Sequence, residues 1–260
     1  MAFSLIWLPQ VLRAAGLKVA EHGGWQDRGL GDMGNVRGVM CHHTATPSQK
    51  NMPTLNVLVR GHGTLRGPLA QLGLARDGTY FVIAAGRAQH AGPGRWRGVT
   101  AGNSSFIGIE AENSGLPGDR WPEVQMDAYA RGVAALLNKI GAPVEMCCGH
   151  KEYRLPAGFK NDPSFDMNAF RERVRGVMNG TAPIRPLIPA SDGQSRPTLR
   201  RGSRGDLVFR VQAKVGAVAD GIFGPGTEAA VRSFQREHIE KVEVADGIVG
   251  PKTWAVIDAP

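Results

Sequence analysis

Cysteine is scarce in this chain, with three residues among 260: Cys41, Cys147 and Cys148. An odd count with two adjacent thiols argues against a disulfide framework, and free thiols suit synthesis and storage in a reducing compartment. Long apolar runs are also missing, and no stretch can span a bilayer. The opening Met1-Ala-Phe-Ser-Leu-Ile-Trp-Leu-Pro9 has no basic n-region and only a short apolar run. It reads as neither signal peptide nor membrane anchor. An acidic excess is lacking too, since the net charge is +8. A basic balance points to a polyanionic partner such as nucleic acid, an acidic membrane face or an anionic cell wall. Nucleic acid is not the expected one, because no basic helix, finger spacing or stacking-aromatic motif accompanies the charge.

What remains is a globular composition. Hydrophobic residues make up 42% and charged residues 21%, enough for a core. The length allows one large domain or two ordinary ones. The composition shifts after Gly180. Residues 181–197 carry four prolines and no periodicity, which predicts a semi-rigid linker. It divides an N-terminal domain, residues 1–180 with its core at 38–177, from a module at 198–260.

In the N-terminal part, residues 38–43 and 80–84 read as strands. Residues 106–112 alternate, with Ile107, Ile109 and Ala111 on one face and Gly108, Glu110 and Glu112 on the other. Asp77-Gly78 predicts a hairpin-type turn. Met126, Tyr129, Ala130, Val133, Leu137 and Ile140 have helical spacing, closed by Gly141. A second helix is predicted over 167–177, and a short surface helix near Pro9. Strands with interspersed helices predict an α/β class, a mixed central sheet flanked by helices. In the C-terminal module, Asp220-Gly-Ile-Phe-Gly-Pro-Gly-Thr227 is echoed by Asp246-Gly-Ile-Val-Gly-Pro-Lys-Thr253. Each copy puts a Gly-Pro turn before a helical pattern, and residues 207–215 add another, which predicts a small three-helix bundle.

His42, His150 and Asp162 are metal-capable side chains in separate segments. Two imidazoles and a carboxylate suit zinc and leave a fourth position for water. Strand alternation sends His43 away from any site that His42 reaches. Cys147 and Cys148 lie beside His150 and could be ligands, but buried small apolar residues are the expectation. Glu110 and Glu112 share a face, and spacing alone does not separate them. A solvated face is the expectation for Glu112.

Six short motifs occur in order: His42-His-Thr-Ala45, Asp77-Gly-Thr79, His90-Ala-Gly92, Ile107-Gly-Ile-Glu110, Gly149-His150 and Lys160-Asn-Asp-Pro163. Together they resemble the zinc-dependent N-acetylmuramoyl-L-alanine amidases of the peptidoglycan-recognition superfamily, over roughly residues 38–177. The resemblance implies His42, His150 and Asp162 as Zn²⁺ ligands, Glu110 as general base, Lys160 as oxyanion stabiliser and His90 as a residue lining the substrate cleft. Some relatives have Cys where this chain has Asp162. Others carry a catalytic Tyr near the position of Ala70, where this chain has none, and that departure favours the Glu-based branch.

The C-terminal module resembles the small three-helix peptidoglycan-binding domain found beside wall hydrolases. The joint implication is an endolysin that cuts between N-acetylmuramic acid and L-alanine in bacterial peptidoglycan. It would be a monomer, held in the host cytoplasm until release to the cell wall. The alternative is a non-catalytic peptidoglycan-binding protein of the same fold.

Overall fold

The computed structural model describes residues 3–48, 50–181 and 196–259. It divides into two compact units, residues 1–183 and 184–260. Most of the Pro-rich segment expected as a linker, residues 182–195, lies outside the described residues.

The first unit runs α1 (Leu8–Ala14), β1 (Val19–Glu21), β2 (Gly38–His43), α2 (Leu55–Arg60), β3 (Gly61–His62), β4 (Leu65–Arg66), β5 (Leu72–Leu74), β6 (Tyr80–Val82), α3 (Gly102–Ser105), β7 (Phe106–Ala111), α4 (Glu123–Ile140), β8 (Cys147–Gly149), α5 (His150–Tyr153) and α6 (Met167–Met178). Six strands form one sheet in the order β1-β6-β5-β7-β2-β8. Its pairings are parallel except β5–β6, so the expected mixed α/β class holds. The β5–β6 turn is the predicted hairpin, with Gly78 at φ +80°.

Helix α4 forms because its apolar residues recur every three or four positions, and it stops at Gly141 in the left-handed region (φ 66°). Tyr129, Val133 and Leu137 are fully buried. α6 starts where the Asp166 side chain accepts from the Ala169 amide, and it buries Phe170 and Val174 as predicted. α1 is less of a surface helix than expected, because Leu8 and Leu12 are wholly buried in the main core.

The alternation read in residues 106–112 does not describe one wet and one dry face. All of β7 except Glu110 is buried, because a parallel sheet is covered on both sides. Glu112, expected on a solvated face, is 0% exposed. Its carboxylate accepts from Thr44 Oγ1 at 3.0 Å and from Thr54 Oγ1 at 2.5 Å. It ties the segment after β2 to the start of α2.

The second unit contains α7 (Asp206–Val215), α8 (Pro225–Glu237), α9 (Ile239–Val242) and α10 (Pro251–Ile257). α9 is a single turn beyond the three helices predicted. The sequence echo is a structural repeat. The two protons of Gln212 Nε2 are shared among Asp220 Oδ1, the Ile222 carbonyl and Thr227 Oγ1, all within 3.0 Å, while its Oε1 accepts from Gly221 N–H. Gln235 has the same arrangement with Asp246, Ile248, Thr253 and Gly247. Each buried glutamine satisfies one Asp-Gly-Ile loop and seats the helix that follows.

Candidate active site

The parallel register puts His42 opposite Glu110, and Glu110 opposite Gly73. Cross-strand partners project from the same face. At Gly73 a Cβ would come within 2.7 Å of Met52 Cε, so glycine leaves room for the small apolar cluster around α2 to pack there. His150 follows β8, the other neighbour of β2, as the first residue of α5. Asp162 arrives on the loop before α6, where its carbonyl accepts from Lys151 N–H at 2.7 Å. Three segments far apart in sequence therefore meet at the carboxyl ends of β2, β7 and β8, where open α/β sheets hold their ligands.

The donor atoms converge. His42 Nδ1 and His150 Nδ1 are 3.1 Å apart, and each lies 3.0 Å from Asp162 Oδ2. All three residues are buried. Glu110 Oε1 stands 3.8 Å from His42 Nδ1, and its Oε2 is buried without a hydrogen-bond partner. Lys160 is exposed at the rim. Together with Glu110, His150, Asp162, Thr44 and Leu65 it lines a groove of about 560 Å³.

Burial and the neighbouring His150 push the His42 imidazole down to about 4. Burial by itself would raise the Asp162 carboxyl. The His150 and His42 rings against it, and their charge when protonated, outweigh burial and hold Asp162 well below the usual carboxylate range. Glu110 moves the other way. Burial and then the Asp162 charge raise it well above normal, with Lys160 opposing. Two carboxyls about one cluster are thus driven apart, one anionic and one poised to carry a proton.

His43 stays out of the donor cluster, as expected, but it lines the same groove, so alternation does not carry it away from the site. Its Nδ1 accepts from Ser164 N–H at 3.2 Å, and its ring lies over Gly115, where a Cβ would come within 2.2 Å. Cys147 and Cys148 are buried and outside the donor cluster, with Cys147 Sγ at 3.8 Å from Cys41 Sγ. His90 lines the groove, but it is only 7% exposed and both ring nitrogens have protein partners, His42 Nε2 and the Phe106 carbonyl. Burial, then His42 and His150, hold its pKa well below the usual histidine range. Sequence reasoning missed Tyr129, whose hydroxyl accepts from His42 N–H at 2.9 Å, and Asn103, whose Oδ1 accepts from His90 N–H at 2.9 Å. Tyr129 carried only the signal of an apolar helix position, and Asn103 carried none.

A buried His–His–Asp cluster beside a raised carboxyl, on the floor of an open groove, defines a hydrolase site. Residues 32–165, just over half of the chain, match the family model for N-acetylmuramoyl-L-alanine amidase. The chain belongs to that family and is an amidase. Residues 213–257 match the model of a putative peptidoglycan binding domain, so peptidoglycan is the substrate of the whole.

Among solved structures, the chain is similar to a selenomethionine AmpD derivative, with 21% identity over 60% of this chain and 93% of that one and a TM-score of 0.46. It is similar to the endolysin amidase LysCS from Clostridium intestinale URNW, with 20% identity, 61% and 95% coverage and a TM-score of 0.43. It is also similar to the PlyG catalytic domain, with 16% identity, 65% and 99% coverage and a TM-score of 0.46. No curated protein matches it.

Proposed function

We propose that this amidase is a zinc-dependent endolysin that cleaves the bond between N-acetylmuramic acid and the L-alanine of the stem peptide. The convergence of His42, His150 and Asp162 on one point carries the reading. Their mutual separations of 3.0–3.1 Å are near the edge of a tetrahedral zinc shell, roughly 3.3 Å for bonds of about 2.0–2.1 Å. One carboxylate and two imidazoles are a zinc-type donor set, and the groove leaves a fourth side open. Zinc held there supplies an acidified water and a polarised scissile carbonyl.

The chain's own groups do the rest. Glu110, with Oε2 free of partners, takes the proton of the attacking water and passes it to the leaving nitrogen. Lys160, at the groove rim, offers its ammonium to the developing oxyanion. The repeat unit within residues 198–260 tethers the enzyme to its insoluble polymer and raises the local concentration of enzyme. The linker is residues 181–197. Three free buried thiols fit storage in the host cytoplasm before release, as a monomer. Among the described residues no helix can cross a membrane.

The test is digestion of purified cell wall by the full chain. New L-alanine amino groups are expected. Reducing sugars in their place overturn the assigned bond.

A further inference from the structure

Two adjacent residues, His90 and Ala91, touch both histidines of the donor cluster. His42 Nε2 lies 3.1 Å from His90 Nδ1, and His90 Nε2 lies 3.2 Å from the Phe106 carbonyl oxygen. A carbonyl only accepts, so His90 Nε2 carries a proton. The ring's two hydrogen-bond partners are an imidazole and a carbonyl, with no carboxylate to support a charge, so the buried ring is neutral. Its Nδ1 is then a lone pair and accepts from His42 Nε2–H. That leaves His42 Nδ1 as the lone pair facing the cluster. His150 Nε2 donates to the Ala91 carbonyl at 3.0 Å, which leaves His150 Nδ1 facing the cluster in the same way.

The His90-Ala91 segment is itself pinned. Asn103 Oδ1 accepts from His90 N–H at 2.9 Å and from Ala91 N–H at 2.8 Å. The His90 ring rests on Gly108 of β7, where a Cβ would stand 2.8 Å from His90 Cγ. Gln71 Oε1 holds that glycine by its N–H at 2.7 Å. This accounts for the glycine in Ile107-Gly-Ile-Glu110: it seats an imidazole. Asn103 is not among the residues lining the catalytic groove, so its effect on the site runs through His90 and Ala91.

We propose that Asn103 is a positioning residue for the metal centre: its one carboxamide oxygen fixes the His90-Ala91 backbone, and that pair presents His42 and His150 in the tautomers that bind metal through Nδ1. The inference rests on the zinc reading above. Outer groups that orient metal-binding histidines are commonly worth 10- to 100-fold in affinity.

The experiment uses the full chain and zinc alone, by competition with a chromophoric chelator, together with ¹⁵N spectra of the histidine rings. Asn103→Ala is expected to bind zinc about 10- to 100-fold more weakly. Asn103→Asp, which keeps an acceptor oxygen, is expected to restore most of the loss. Gly108→Ala, which removes no hydrogen-bonding side chain but displaces the His90 ring, is expected to weaken zinc as Asn103→Ala does. In the wild type the His90 proton is expected on Nε2. That ring measurement stands even where a variant fails to fold. A His90 proton on Nδ1, or Asn103→Ala with wild-type zinc affinity, overturns the proposal. A wild-type chain that takes up no zinc overturns the metal reading instead, which separates the two failures.

Discussion

The Tyr129 hydroxyl joins the two strands that carry His42 and Glu110. It accepts from His42 N–H at 2.9 Å, and its single proton faces the His42 and Ile109 carbonyls, each at 3.1 Å. Burial, then the Cys41 thiol beside it, raises the phenol well above its usual range, so it stays a neutral donor. A side chain of α4 therefore takes part in the backbone bonding of β2 and β7 beside the catalytic groups.

Tyr129→Phe removes that hydroxyl and leaves buried backbone groups unpaired. The expected loss is about 1–3 kcal/mol in urea unfolding, with kcat reduced and KM nearly unchanged. An unaltered unfolding midpoint would show that the hydroxyl does not bridge the strands.

Glu110→Gln separates activity from stability. The reaction loses its proton carrier, and kcat is expected to fall by about 10²- to 10⁴-fold. The fold gains, because a buried carboxyl with an unpartnered oxygen becomes a neutral amide. The sign follows from the raised pKa of Glu110 in the folded state. Below the unfolded carboxyl pKa both states are protonated and the cost is absent. It grows as pH rises above about 4.5 and levels off once pH passes the folded value. Thermal unfolding of chelator-treated wild type and variant across pH 4–8 measures this. A constant difference at all pH values contradicts it.

Glu112→Ala should do the opposite. Thr44 and Thr54 lose their acceptor, and leaving such buried groups unpaired costs about 1–3 kcal/mol. Turnover per folded molecule is expected to stay within a few-fold of wild type. A loss of activity as deep as that of Glu110→Gln would give Glu112 a part in the chemistry.

Chelation should abolish turnover, and added zinc should restore it. Free zinc at about 100 times its Kd stabilises the fold by about 2.7 kcal/mol, so removal lowers the unfolding midpoint. The metal-free chain should also weaken in acid. Burial and His150 hold His42 down to about 4 in the folded state. An unfolded imidazole titrates near 6.5, so stability falls as pH drops from about 6.5 to about 4. Full activity in excess chelator sinks the metal mechanism.

Gln212→Ala and Gln235→Ala should each release one loop of the C-terminal repeat. Each removes a buried carboxamide that has four polar partners, and similar losses of binding to insoluble wall are expected. Hydrolysis of a small soluble amide should be unchanged. A variant that keeps full wall retention argues that its loop does not shape the binding surface.

Local chemistry was legible without coordinates. The stripe of α4, the turn at Asp77-Gly78, β2 and the doubled Asp-Gly-Ile loops follow from periodicity and turn residues over a few positions. So did the choice of His42 over His43 for the donor cluster, because alternation along a strand is a local rule, although His43 still lines the groove beside it. The residues able to bind a metal or move a proton, and the order in which they occur, are also properties of the chain itself.

Tertiary structure decided which of these groups meet and in what state. His42, Glu110, His150 and Asp162 share a site only because β7, β2 and β8 are neighbours in parallel register. No local pattern encodes that pairing. Glu112 was misread for a related reason: alternation names a face, but whether the face is wet depends on what packs over it. The roles of Asn103, Gly108 and Tyr129 are likewise through-space, since each acts on a histidine brought near by folding. Sequence determined the available chemistry; burial and distance, which exist only in the folded chain, determined its pKa values, its tautomers and its site.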